Sequence, residues 1–269
     1  MLKNIIKFLL AALFIWALAF PFLQSDEGDS DEQTSSEQPT KQKKKEKPLH
    51  SVTLPKFSEF TDVKDKKRAF FNFIKPHVEA ENKKILQQRA NLEIARMMLE
   101  NDLPLDEKQS NDIVKILKSY DLPTTINSFT LKQALRRVDV IPKELALMQA
   151  ANESAWGTSR FARIGLNFFG QWCYSKGCGM VPGRRDTGAA HEVAAFKSVR
   201  AAVSSYFKNI NTHNAYKELR SIRENLRLEQ QPIAATLLTQ GLMSYSERGE
   251  AYIEELNTMI NQNRAYFDE

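Results

Sequence analysis

The stretch that most limits how this chain can fold runs from Pro142 to Gly170, P-K-E-L-A-L-M-Q-A-A-N-E-S-A-W-G-T-S-R-F-A-R-I-G-L-N-F-F-G. A proline at the first helical position, followed by the helix formers Glu-Leu-Ala-Leu-Met-Gln-Ala-Ala, predicts a helix that stops between Ser154 and Gly157. Glu153 then falls at the carboxyl end, where the negative pole of the helix disfavours a second negative charge and leans the carboxyl pKa upward. Ala146, Gln149 and Ala150 share its face, and mostly small side chains there let neighbouring elements pack closely. A lone Glu at a helix end is ordinarily a solvated surface residue. A packed helix would hold this one at a cleft edge, and its neighbours along the chain decide whether it does chemistry.

The amino terminus sets where such chemistry would take place. Lys3 and Lys7 precede an apolar run from Phe8 to Leu23, and Asp26, Glu27 and Asp29 come directly after it. That run lies between a signal-peptide core and a membrane span of roughly 20 residues. Ala17-Leu18-Ala19 offers a small-x-small cleavage signature, while Trp16, Phe20 and Phe22 suit an interfacial anchor. Residues 1–24 are therefore read as a signal peptide or an inner-membrane anchor, with the remainder exported to the periplasm in either case. Residues 25–48, acidic and then Lys-rich with almost no apolar side chains, read as a disordered linker. The net charge of +5 owes much to the Lys41 to Lys47 tract. That tract has no interleaved aromatics and no heptads, so nucleic acid is not an expected partner.

Residues 49–130 carry helical periodicity and read as a helical extension that buttresses the domain downstream of it. Phe70, Phe71 and Ile74 lead to Pro76, which is expected to reset the helix, and Val78, Ile85, Leu92, Met98 and Leu99 continue the apolar stripe. Helices are expected at about Glu107 to Ser119 and Ser128 to Val138. Past Gly170, the Gly-rich segment Gln171 to Phe196 suits a β-hairpin lobe. Cys173 and Cys178 are the chain's two cysteines. In an exported protein they are expected to close that hairpin as a disulfide. Further helices are expected from Ser198, Ala215, Pro232 and Tyr252. His191 and His213 lack metal-ligand spacing with the cysteines, so no metal or cofactor is expected.

The order A-x-x-x-A-x-x-E-S-x-W-G-x-S-x-x-A, then N-x-F-G, filled by Ala146, Ala150, Glu153, Ser154, Trp156, Gly157, Ser159, Ala162, Asn167, Phe169 and Gly170, resembles the catalytic core of bacterial glucosaminidases that cut peptidoglycan. Leu135 to Pro142, Cys173 to Cys178, Phe196 to Val203 and Asn211 to Tyr216 resemble the Bax-like members of that family. Asn152 and Ala155 stand where small residues such as Ala and Gly are common in it. The resemblance implies a mainly α, lysozyme-like helical domain with a small β-lobe over residues 131–269. It also implies hydrolysis of β-1,4 links of N-acetylglucosamine in peptidoglycan glycan strands, with Glu153 as general acid.

A second carboxylate, if one acts, is sought in the lobe at Glu192 or Asp186; the substrate's own acetamido group is the alternative. Tyr245 resembles the family's late cleft tyrosine, able to hydrogen-bond substrate or orient water, or else a half-buried core phenol. Trp156 and Phe169 either stack on sugar rings or pack the helix junction. Asn167 and Gly170 belong to the lobe entrance, and Tyr252 to the substrate side or to the core. Two rival functions stand beside glycan cleavage. One is an amidase, disfavoured by the absence of a His-rich zinc cluster, and the other is a non-catalytic wall-binding protein.

Overall fold

A computed structural model of the chain describes residues 46–182 and 191–268. The expected leader, most of the linker and Asp186 lie outside those residues. Among the described residues no helix is long and apolar enough to cross a membrane. They fold as a mainly α-helical unit with a small antiparallel sheet.

The first helix, α1 (Val63–Glu100), is 38 residues long and starts where the Asp62 carboxylate accepts from Lys64 N and Asp65 N at 2.7 and 3.0 Å. It runs through Pro76 without a break, against the reset expected from sequence. Pro76 and Asn72 are both exposed, so the Asn72 carbonyl that loses its i+4 partner can be hydrated. Phe70, Phe71, Ile74 and Val78, all essentially inaccessible, anchor the helix on both sides of the proline. Their burial at roughly 1.5–3 kcal/mol each outweighs one missing hydrogen bond.

Next come α2 (Glu107–Ser119), opened by a reciprocal Asp106/Gln109 capping box, and α3 (Ser128–Arg137), capped by Asn127. Then α4 (Lys143–Glu153) presents seven consecutive buried residues from Leu145 to Ala151. A helix apolar on all sides is a central one, and α1 and the late helix α9 (Glu250–Gln262) both pack on it. The short α5 (Arg160–Gly165) leads into the lobe.

The lobe is a three-stranded sheet in the order β1-β3-β2, with β1 (Trp172–Cys173), β2 (Gly179–Met180) and β3 (Glu192–Ala194). Trp172 faces Val193 in one ladder and Met180 faces Val193 in the other, both antiparallel. The Cys173–Cys178 disulfide closes the segment between β1 and β2. Helices α6 (Val199–Thr212), α7 (Lys217–Leu228) and the single-turn α8 (Ala235–Leu238) complete the unit before α9.

Two features tie the extension to the rest. Phe57, Phe70, Phe71, Trp156 and Phe168 form edge-to-face aromatic contacts with centroids 5.5–6.3 Å apart. Farther along α1, buried Asp139 accepts from Arg227 at 2.8 and 3.1 Å and pairs with Arg89 at 3.2 Å. Arg223, wholly buried, adds its charge and donates to the carbonyls of Asp139 and Val140. Asp139 thereby clamps α1, the α3–α4 connection and α7.

Candidate active site

Glu153 is the last residue of α4, half-buried where the helix stops. The stop is made by its neighbours. Ser154 Oγ donates to the Ala150 carbonyl at 2.6 Å and accepts from Gly157 N at 2.9 Å, so one hydroxyl serves both sides of the turn. Ala155, Trp156 and Gly157 then take φ of 50°, 57° and 77° in succession. Non-glycine residues in that region cost of order 1 kcal/mol each, so the turn persists only because its surroundings over-determine it.

Those surroundings come from α1 and the segment before it. The half-buried Trp156 ring meets Phe70 and Phe71 edge-on at 5.6 and 5.5 Å, with Lys67 Nζ 5.4 Å from its centroid. Beneath Gly157 there is room for hydrogen alone, since a Cβ there would lie within 2.6 Å of Phe57 Cε2.

On the other side of the acid, Gly170 has φ of 64°, and a Cβ at that position would stand 3.2 Å from Glu153 Oε2. Its lack of a side chain lets the lobe entrance lie against the carboxylate. Tyr245 secures that entrance by donating from its hydroxyl to the Phe169 carbonyl at 2.8 Å. Asn167 is buried, with Nδ2 donating to the carbonyls of Gln171 and Ala194 and Oδ1 accepting from Gln171 N, at 2.8–3.0 Å. Phe169 is also buried and stacks on Tyr206 at 4.2 Å. Asn167, Phe169 and Trp156 thus shape the walls of the site through packing and backbone bonds.

A directional chain of hydrogen bonds runs through the core to Glu153. The wholly buried Tyr206 hydroxyl donates to Gln149 Oε1 at 2.6 Å, and Gln149 Nε2 donates to the Tyr252 oxygen at 3.2 Å. The short contact suits O–H···O and the longer one N–H···O, which fixes the orientation of the amide. With its oxygen accepting from Gln149, the Tyr252 phenol keeps its proton for the Glu153 carboxylate, whose pKa its donor lowers.

Burial raises the Glu153 pKa above the ordinary carboxylate value. The Tyr252 hydrogen bond and the Arg248 charge pull it down and the Glu255 charge pushes it up, leaving it raised overall. Arg248 is itself ion-paired with Glu255. Tyr245, stacked on Tyr252 with centroids 5.6 Å apart, and Tyr216 stand in the same field.

Glu192 is buried on β3 and accepts from Gly177 N at 3.0 Å and Gly179 N at 2.9 Å, binding the disulfide loop to the sheet. It lies near both cysteine sulfurs, but these are joined to each other and are not available as thiolate ligands. A cavity of about 610 Å³ lies elsewhere, among charged residues including Arg89, Lys132, Asp139 and Arg227.

Comparison with known proteins agrees with the residue pattern. The glucosaminidase family model, described as mannosyl-glycoprotein endo-beta-N-acetylglucosaminidase, matches residues 129–265. The chain belongs to the glucosaminidase family. It is 32% identical over 214 residues to protein bax of Escherichia coli strain K12, covering 80% of this chain and 76% of that protein. No solved structure matches. Membership brings glycoside hydrolase chemistry, the class for which an acid such as Glu153 is suited.

The links of Gln149 and Tyr206 to Glu153 were not legible from spacing alone. The one available signal was Gln149 itself, a polar residue inside an otherwise apolar helix run, four positions before Glu153. A polar side chain buried among apolar ones needs partners, and here they lead to the acid.

Proposed function

We propose that this protein is an exported peptidoglycan hydrolase that cleaves β-1,4 glycosidic bonds of N-acetylglucosamine in the glycan strand. The observation that carries this reading is the setting of Glu153, a half-buried carboxyl whose pKa is raised by burial and which receives a donor from Tyr252. The lobe entrance rests against it at Gly170. A raised pKa lets the carboxyl hold its proton to a higher pH than an ordinary glutamate, so that it can give that proton to the leaving glycosidic oxygen. Tyr252 then stabilises the carboxylate that remains.

In this reading Tyr245 holds the Phe169–Gly170 turn that forms the floor beside the acid. Glu192 supports the reaction through the lobe it binds. A direct role for it as second carboxylate would require one oxygen to leave Gly177 or Gly179. The substrate acetamido group offers a route without a second protein carboxylate. The amino-terminal apolar run supports export, with the inner membrane as partner if that segment is retained.

The test is product identity. Purified sacculi are digested with wild type and Glu153→Gln, and the fragments identified by mass spectrometry. New reducing-end N-acetylglucosamine, absent with the variant, supports glycan cleavage. Free stem peptides would mean an amidase, and an absence of fragments from wild type would mean a wall-binding protein.

A further inference from the structure

The lobe carries two large aromatic side chains that the packing of the protein leaves uncovered. Trp172 is 49% and Tyr174 80% exposed. They flank the half-buried Cys173, Trp172 within β1 and Tyr174 just past its end, with backbones at most roughly 7 Å apart. Both leave much of their ring surface to solvent, next to each other in sequence and beside the lobe entrance.

Their position ties them to Glu153. Trp172 stands two residues after Gly170, whose backbone lies against the Glu153 carboxylate, so at most roughly 7 Å of chain separates the Trp172 backbone from that contact. Trp172 therefore follows directly on the turn that lies against the acid.

The platform is also rigid. β1 pairs with β3, the Cys173–Cys178 disulfide closes the loop that carries Tyr174, and Glu192 holds that loop through Gly177 N and Gly179 N. His191 meets Trp172 edge-on at 4.7 Å and 83°, which fixes the indole plane. A backbone braced before binding and an indole already positioned lose little freedom when a ligand arrives. Flat aromatic faces with polar rims, separated by Cys173 and continued by Ser175 and Lys176, match a neutral pyranose, whose C–H face is apolar and whose edge carries hydroxyl groups.

We propose that Trp172 and Tyr174 form a stacking platform for N-acetylglucosamine-containing glycan, extending the site along the lobe away from Glu153. This assignment rests on the glycan-cleaving reading of that site. The platform holds the strand while the acid acts, so its loss weakens binding rather than proton transfer.

The experiment uses full-length Glu153→Gln, which binds without turnover, titrated with the tetramer of N-acetylglucosamine and monitored by tryptophan emission. The chain has three tryptophans, and loss of the signal in Trp172→Phe identifies the reporter. Tyr174→Ala, monitored through Trp172, is expected to weaken the tetramer Kd roughly three- to tenfold. Trp172→Ala, measured by calorimetry, is expected to do the same. Phe129→Ala, which removes a ring 71% exposed on α3, should leave the Kd unchanged. Equal affinity in the Tyr174 and Trp172 variants, or no binding of the tetramer to Glu153→Gln, would overturn the platform. Intact sacculi after wild-type treatment, with tetramer binding still dependent on both rings, would remove the catalytic reading and leave the platform standing.

Discussion

Replacing Tyr252 with Phe should move the alkaline limb of the pH–rate profile upward. Tyr252 is 1% exposed, its oxygen is taken by Gln149 Nε2 at 3.2 Å, and its proton serves Glu153. A hydrogen bond to a charged group contributes about 1.5–3 kcal/mol, and 1.36 kcal/mol corresponds to one pKa unit. Removing this donor destabilises the ionised carboxylate only, so protonated Glu153 persists to a pH higher by roughly one to two units. The limb in kcat/KM for reducing-end release from sacculi reads that proton in the free enzyme.

Tyr206→Phe touches no atom of Glu153, yet it frees the Gln149 amide and should move the limb in the same direction by less. Both variants leave a buried amide group unpaired, and thermal melts should show a loss of about 1–3 kcal/mol. An alkaline limb that stays in place or moves down in Tyr252→Phe would refute the assignment of Tyr252 as donor to the acid.

The same geometry predicts three further outcomes. Glu153→Gln should melt above wild type at neutral pH: a carboxyl with a raised folded-state pKa opposes folding while ionised, and the difference should close as pH falls below that pKa. Phe57→Ala, which empties a 3%-exposed site under Gly157, should cost about 3–5 kcal/mol in denaturant unfolding and shift Trp156 emission. Asp139→Ala should cost about 3–5 kcal/mol by leaving Arg223 and Arg227 without their carboxylate. Burial works against the Asp139 charge, but Arg227, Arg223 and Arg89 outweigh it and hold its pKa below the ordinary value. Its contribution is therefore present at neutral pH and lost as pH falls through the folded-state pKa, which an acid titration of stability in wild type and variant would show.

The helix ending at Glu153 was legible because proline, alanine-rich sequence and the Ser154 to Gly157 stop are local signals, and local signals set helix ends. The capping box at Asp106 and Gln109 and the cap at Ser198 were within reach for the same reason. Pro76 misled because its effect depends on where the freed carbonyl points, and burial on either side keeps the helix whole. The extension did not declare its duty either: Phe57 and Phe70 look like ordinary core residues until Gly157 and Trp156, about a hundred residues later, come to rest on them. The chain from Tyr206 through Gln149 to Tyr252 joins three helices, so no spacing within one helix could show it. Gln171 to Phe196 read as a β-hairpin lobe from composition, and the small antiparallel sheet is there; that it has three strands with β3 between β1 and β2 is a pairing set by contacts distant in sequence.

The central claim is that Glu153 supplies the proton for glycan cleavage. The most direct measurement is the rate of reducing-end N-acetylglucosamine release from sacculi by Glu153→Gln relative to wild type, with both proteins shown to be folded by their melts. Removal of a positioned general acid predicts a fall of roughly 10²–10⁴-fold with tetramer binding retained. A variant that releases the same ends at an undiminished rate would contradict it.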